Sequence, residues 1–304
     1  MKLDGIATFV AAVEGGSLSE AARRLRVSRS VVSERLMELE KSLGTSLLQR
    51  STRKLTLTED GTAFLIRATR IVREVDEAAA DLAERRGSLS GPLRISAPVT
   101  FGRMHLGPAL YPFLAQHPAI QLTLDLNDRR VDAATDGFDA VIRHGPITDS
   151  YLVAWQLSTS RRVLVASPAY LAQNGTPRSP SELEGHRGIF YQNRGGADWR
   201  FVHEGRNVVV QGQFGLVLNN GDMMRDAAIA GLGITLLPIF IASAAIKAGA
   251  LRVIDIGVEP EREYIYIAHP DGQNPSTKLR ALADWLRAAF GTPPYWDVEH
   301  AASQ

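Results

Sequence analysis

The sequence predicts an α/β domain preceded by a small winged helix-turn-helix domain and one long helix. Three observations carry this. Two helical patterns joined by a tight turn occupy Ser17–Leu43. Basic residues concentrate in and just after that stretch, and beyond Gly87 strand-like and helix-like segments alternate almost to the end of the chain.

Leu3 to Val13 is apolar at Leu3, Ile6, Phe9, Val10 and Val13, a helix with one buried stripe. Ser17 precedes Glu20 by three residues, the spacing of a capping box. Arg26-Val27-Ser28 then breaks the pattern, and Ser28 can cap a second helix whose Val32, Leu36, Leu39 and Leu43 face a core. Its other side carries Arg29, Ser30, Ser33, Glu34 and Met37, short or charged groups that can approach base edges and phosphates. Leu47–Arg50 and Leu55–Thr58 flank a basic tip, Ser51-Thr52-Arg53-Lys54, and read as a small hairpin. An ordinary helical hairpin with a solvated face would explain the two helices alone. It would not explain the charge: from Arg23 to Lys54 nine basic residues stand against three acidic ones, +6, in a chain whose total is +1.

Thr58 can cap a helix from Glu59 to about Arg86, roughly 40 Å long at 1.5 Å per residue. Phe64, Ala68, Ile71, Val75, Ala78 and Leu82 recur at alternating spacings of four and three, a heptad seam suited to dimerisation. Packing against its own domain is the competing reading of that seam. Gly87–Pro92 is a flexible joint. Strands are then expected at Leu93–Ala97, Ile120–Leu126, Phe138–Arg143, Arg161–Ser167, Gly215–Asn219, Ile234–Leu237, Leu251–Ile254 and Tyr264–Ala268, in a largely parallel sheet. Helices are expected at Phe101–Gln116, Asp222–Ala230, Pro238–Ala248 and Ser276–Phe290, with Gly291–Gln304 a loose tail.

The segment SLSEAARRLRVSRSVVSERLMELEKSLGTSLLQRSTRKLTLTEDG resembles the N-terminal domain of LysR-type transcriptional regulators along its whole length. Gly91–Ser96, and Asn219-Asn220-Gly221-Asp222 running on into Gly231–Pro238, are similar to that family's effector domain. The resemblance implies an α/β effector domain of two lobes, periplasmic-binding-protein-like, preceded by an all-α winged helix-turn-helix domain and a long linker helix. The expected boundaries are 1–58 for DNA binding, 59–90 for the linker and dimerisation helix with its hinge, 91–290 for effector binding and 291–304 for the tail. Lobe I would take about 91–160 and 265–290, and lobe II about 161–264, with crossings near Ser158–Arg161 and Arg262–Ile265.

By the same resemblance Arg29, Ser30, Ser33 and Glu34 face the major groove of double-stranded DNA. Arg50, Thr52, Arg53 and Lys54 of the wing reach the backbone or the minor groove. Arg29 stands where the family often has glutamine and Glu34 where it often has a basic residue, so the operator preference should be unusual. Homodimers, and tetramers built from them, are implied as well.

In open α/β sheets ligands sit beyond the carboxyl ends of strands, where helices begin. Pro98-Val99-Thr100-Phe101 and Asn219–Asp222 are two such places, each offering backbone N–H groups to an anion. Thr100 and Asn220 as plain helix caps account for the same residues. If the lobes face each other as the resemblance implies, Val99, Thr100, Phe101, Asn220 and Asp222 converge on one cleft, with His144, Trp199 and Phe201 lining it. Asp222 argues against a doubly charged ligand, which leaves a small, singly charged organic acid, aromatic or otherwise.

Other chemistry is not encoded. There is no cysteine, hence no disulfide and no thiol switch. Seven histidines lie without a metal-ligand spacing, and Asp125, Asp128, Asp132, Asp136 and Asp139 read as a solvated surface, so neither a metal nor a cofactor is expected. No nucleophile, zinc, P-loop or dinucleotide motif occurs, and Gly231-Leu-Gly233 reads as tight packing. No long apolar run or export signal is found, so a cytoplasmic location without membrane contact is expected. An enzyme fused to a DNA-binding domain would need a catalytic constellation. A solute-binding protein would need an export signal and no helix-turn-helix. A ligand-responsive regulator is the expectation that remains.

Overall fold

In the computed structural model the described residues are 1–50, 55–84, 89–129, 131–133, 136–147, 150–196, 198–270 and 275–297. The chain forms two compact units, the first made chiefly of Met1–Pro92 and the second chiefly of the residues from Leu93 onward.

The N-terminal unit opens with α1 (Leu3–Glu14), α2 (Leu18–Leu25) and α3 (Arg29–Leu43). Ser17 Oγ accepts the Glu20 N–H at 3.1 Å, as the spacing predicts, but the Glu20 carboxylate pairs with Arg23 rather than closing the box. Ser28 Oγ accepts the Val31 N–H, and Arg26 takes the left-handed conformation, φ 53°, that turns α2 into α3. The strands β1 (Leu48–Arg50) and β2 (Leu55–Leu57) pair antiparallel, so the first domain is helical with a two-stranded wing. Glu40 Oε1 accepts the N–H groups of Leu47 and Leu48 and fixes where the wing departs from α3. The helix α4 (Glu59–Glu84) is capped by Thr58 Oγ1, which accepts the Gly61 N–H at 2.9 Å. Gly61 is required there, because a Cβ would stand 2.0 Å from the Leu47 carbonyl oxygen.

The core of this unit is Ile6, Phe9, Val10, Ala21, Val32, Leu36, Leu39, Leu47 and Ala68. Two residues of the heptad seam therefore pack at home: Ala68 is fully buried and Phe64 meets Phe9 with ring centroids 5.7 Å apart. Ile71 and Val75 remain 37% and 43% exposed, and Ala78 is exposed too. The seam thus divides into an inner pair facing α1 and an outward continuation, while the Leu82 side chain lies outside the described residues.

The C-terminal unit contains two main sheets. In chain order its elements are β3 (Gly91–Ala97), α5 (Val99–Phe101), a π-helical turn at Gly102–Leu106, α6 (Gly107–Gln116), β4 (Ile120–Leu126), β5 (Ala140–His144) and β6 (Leu152–Ser160). After the crossing at Arg161 follow β7 (Arg162–Ala166), α7 (Pro168–Asn174), α8 (Pro180–Leu183), β8 (Arg187–Tyr191), β9 (Asp198–His203), β10 (Arg206–Gln211) and β11 (Gln213–Leu218). Then come α9 (Gly221–Ile229), β12 (Ile234–Pro238), α10 (Ile239–Lys247), β13 (Arg252–Val253) and β14 (Glu259–Pro260), and the chain returns through β15 (Glu263–Pro270) and α11 (Thr277–Phe290). One lobe is built on the sheet β4-β3-β5-β15-β6 and the other on β11-β8-β12-β7-β13.

Both sheets are mixed, which corrects the largely parallel expectation. The returning strand β15 runs antiparallel to β5 and β6, and β12 is antiparallel to β7. A third sheet, β10-β9-β14, was not anticipated. Gly233, at φ 156°, lies so close to the Arg187 carbonyl that a Cβ would stand 2.4 Å from its oxygen, which confirms tight packing for the Gly231–Gly233 segment. The tail is not loose as far as Asp297. Trp296 is 5% exposed among Phe101, Phe240 and Phe290, Tyr295 Oη and His105 Nδ1 are 2.6 Å apart, and Arg161 pairs with Asp297 at 2.9 Å. Burial lowers the His105 imidazole to about 4, so it sits in this aromatic wall as a neutral ring.

Candidate functional site

Two surfaces carry the chemistry. On α3 the core-facing Val32, Leu36 and Leu39 are buried, and the opposite face presents Arg29, Ser30 and Glu34 to solvent with Ser33 half exposed. Ser30 Oγ lies 2.7 Å from Ser28 Oγ. Arg35 is held by Asp4 at 3.0 Å and is not available to neutralise Glu34. Of the wing residues, the Arg50 side chain and all of Thr52, Arg53 and Lys54 lie outside the described residues.

The second surface is a cavity of about 350 Å³ between the two lobes of the C-terminal unit, within the usual range for small-molecule sites. Thr100, Phe101 and His144 line it, as the sequence suggests, and so does Gly221, whereas Val99, Asn220 and Asp222 stand outside its lining. Trp199 and Phe201 do not. They are 2% and 1% exposed in the core of the second lobe, against Phe190, Tyr170 and Val210. Their alternation along β9 points both rings into one face, the ordinary behaviour of a half-buried strand.

Of the two helix starts expected to receive an anion, that of α5 already holds a carboxylate of the protein, and that of α9 is capped by the Asn220 amide oxygen. Asp128 Oδ1 accepts the Val99 N–H at 2.9 Å, and Asp128 Oδ2 accepts from Asn220 Nδ2 of the facing lobe at 2.7 Å. Asn193 of that lobe donates to the Asp128 carbonyl at 2.6 Å. In return Asp222 Oδ2 accepts from Thr100 Oγ1 at 3.2 Å and from Arg103 at 2.9 Å, while its Oδ1 takes Arg225. Asn220 also caps α9 through the Met223 N–H. Asp128 is therefore no solvated surface residue, and neither is Asp139, whose carboxylate accepts the Arg94 N–H.

The floor of the cavity is the crossing between the lobes. Glu263, the first residue of β15, is 1% exposed in its side chain. It pairs with Arg194, with Arg162 at 3.7 Å, and with His144 Nε2 at 3.2 Å. Burial lowers the Arg162 guanidinium to about 10 and, aided by repulsion from Arg162, that of Arg194 to about 9. Both stay charged at neutral pH. Burial, reinforced by Arg162 and Arg194, lowers the His144 imidazole to about 3. The neutral ring places Nε2 2.8 Å from Ser160 Oγ, with the tautomer deciding which of the two donates. Sequence reading missed Arg162, Arg194 and Glu263, since three isolated charges 32 to 101 positions apart form no local pattern.

Among the described residues five arginines (129, 143, 162, 194 and 200) and three carboxylates (Asp128, Glu261 and Glu263) line the cavity, a net positive interior. Among those same residues no group of acidic or histidine side chains could hold a metal ion. No helix there is long and apolar enough to cross a membrane.

A helix-turn-helix with a wing, joined to a two-lobed α/β unit with a cleft, defines a DNA-binding protein that carries a substrate-binding domain. Residues 86–291 match the LysR substrate binding domain and residues 3–62 match the bacterial regulatory helix-turn-helix protein model of the lysR family. The chain belongs to the LysR family of bacterial transcriptional regulators. An HTH-type transcriptional regulator of Haemophilus influenzae is 33% identical over 285 residues, covering 93% of this chain and 98% of the relative. An HTH-type transcriptional repressor of Pseudomonas aeruginosa is 32% identical over 300 residues, covering 96% and 93%. Among solved structures, the full-length Vibrio cholerae virulence activator AphB is 27% identical with TM-score 0.57, covering 95% of this chain and 99% of that one. CrgA, a LysR-type regulator from Neisseria meningitidis, is 29% identical with TM-score 0.55, covering 95% and 97%.

Proposed function

We propose that this regulator responds to a small organic acid that binds between the lobes of its C-terminal unit and alters operator binding. The net positive lining of the cavity carries the reading: a low-dielectric cleft with more guanidinium groups than carboxylates favours an anion. In this reading Arg29, Ser30, Ser33 and Glu34 meet the major groove, with the wing on the backbone. Glu34, left without Arg35, accepts from a cytosine amine. The protein acts in the cytoplasm, where its DNA is. Calorimetric titration of the full chain with a panel of mono- and dicarboxylates, neutral sugars and nucleosides tests it. Binding confined to neutral compounds would overturn the acid assignment.

The outward continuation of the α4 seam supports assembly into dimers, which two half-sites one DNA turn apart require. Ile71 and Val75 are its large exposed apolar residues. Ile71→Asp should lower the sedimenting mass to that of one chain at micromolar concentration and abolish high-affinity operator binding. An unchanged mass would remove α4 from the interface.

A further inference from the structure

The cleft has two kinds of place for a negative group, and the structure distinguishes them. At the helix starts carboxylates of the protein already hold one backbone donor and three side-chain donors: the Val99 N–H and the Asn220 amide serve Asp128, and Thr100 and Arg103 serve Asp222. An incoming carboxylate would have to displace a carboxylate already seated there, and would meet a second negative charge as it did so. The floor is different. The side chain of Arg162 is 6% exposed, and its Nη2 donates to the Leu236 carbonyl at 2.9 Å. Its Nε and Nη1 have no hydrogen-bond partner among the described residues, and neither have Oε1 and Oε2 of Glu263, whose Oε1 stays 3.7 Å from Nη1, so this buried pair is not closed by a hydrogen bond. Buried guanidinium N–H groups left unpaired are costly. Arg162 lines the cavity, so its head group is a place where a ligand anion supplies what the protein alone does not satisfy.

We infer that the anionic group of the ligand is received on the floor of the cleft by Nε and Nη1 of Arg162, and not at the helix starts beside Asp128 and Asp222. This deepens the proposed function and rests on it for the class of ligand, but the seat itself concerns any small anion. Two consequences follow from where Arg162 stands. It is the first residue of β7, directly after the crossing, and its counter-ion Glu263 is the first residue of β15, the returning strand. Glu263 pairs in register with Ser160, the last residue before the crossing. An anion bound here competes with Glu263 for Arg162 and acts on both connections between the lobes without an intermediary. The seat also takes one negative group only, because Glu263 repels a second on the same floor.

Bromide serves as the probe, since it needs no knowledge of the natural ligand and is located by its anomalous signal. Crystals of the full chain equilibrated with sodium bromide should show a peak inside the cleft within hydrogen-bonding distance of Arg162 Nε or Nη1. Arg162→Gln should lose that peak while surface peaks persist. Bromide at the Val99 or Gly221 N–H, or none inside the cleft of the wild-type protein, would overturn the inference. The measurement on unaltered protein stands even if the variant does not fold. It is also separable from the class of ligand: a bromide at Arg162 with no carboxylate binding would retain the seat and remove the organic acid. A carboxylate bound equally by wild type and Arg162→Gln would do the reverse.

Discussion

Replacing Phe101 with alanine should destabilise the C-terminal unit by about 3–5 kcal/mol, the usual cost of emptying a buried aromatic site. Phe101 is 2% exposed, and its ring meets those of Phe240, Phe290 and Trp296 edge-on at 5.4, 5.6 and 6.1 Å. The site cannot collapse easily, because its neighbours come from α10, α11 and the C-terminal segment and are themselves packed. All four tryptophans of the chain (155, 199, 285 and 296) belong to the C-terminal unit, so their fluorescence follows its unfolding without the DNA-binding domain. The thermal midpoint of that signal should drop by about 10 °C. A midpoint equal to that of the wild type would mean that the ring does not hold the cluster together. Phe101 also lines the cleft, so ligand affinity should weaken in the same variant below its melting temperature.

The second large effect is expected from Glu263→Gln. The substitution keeps the shape and removes the charge that stands between Arg162 and Arg194. Breaking a buried ion pair from one side commonly costs about 3–5 kcal/mol, since the other charge is left in a poor solvent. Arg194 is 23% exposed and can reach water, so the lower end of that range is expected here. Pairing Glu263→Gln with Arg194→Gln should restore part of the loss, and the cycle reads the coupling between them. Equal loss in the single and double variants would show that the carboxylate acts through packing alone. Bound ligand should also protect Glu263→Gln more than wild type, because an incoming anion would replace the missing charge.

What was legible in the chain follows from the range of each interaction. The helix-turn-helix declares itself through caps and periodicity within a few residues: Ser17, Ser28 and Thr58 each accept the N–H three residues on, as read. Helix spacing showed that Phe64 and Ala68 are apolar on one face but not which partner they meet, and that partner is α1. In the helical run from Val99 to Gln116, Pro108 is tolerated because it stands in the first turn of α6, after the π-helical turn at Gly102–Leu106, whereas Pro112 lies inside α6. The direction of β15 and the insertion of β12 beside β7 have no local signature, hence the mistaken parallel sheet. The family resemblance puts Trp199 and Phe201 in the cleft. Their spacing of two was the better guide, since it placed both on one face of a strand. The cleft's own charges are the least legible part, because Arg162, Arg194 and Glu263 meet only when both crossings are made.

The sheet order β4-β3-β5-β15-β6 has a consequence for the way the molecule is made. β5 and β6 are consecutive along the chain, yet they are not neighbours: β15 lies between them and is translated a hundred residues later, after the whole second lobe. On the ribosome the first lobe must therefore wait with two strands bearing unpaired edges and a gap between them. Only the second lobe, made without interruption, can finish while synthesis continues. Late pairing of this kind is slow, since distant segments must meet before the contact stabilises them, and open edges invite the wrong strand. A ribosome stalled with β15 still inside its exit tunnel and the second lobe already outside should hold a folded second lobe beside an unfinished first one, and the nascent chain there is a natural client for a chaperone.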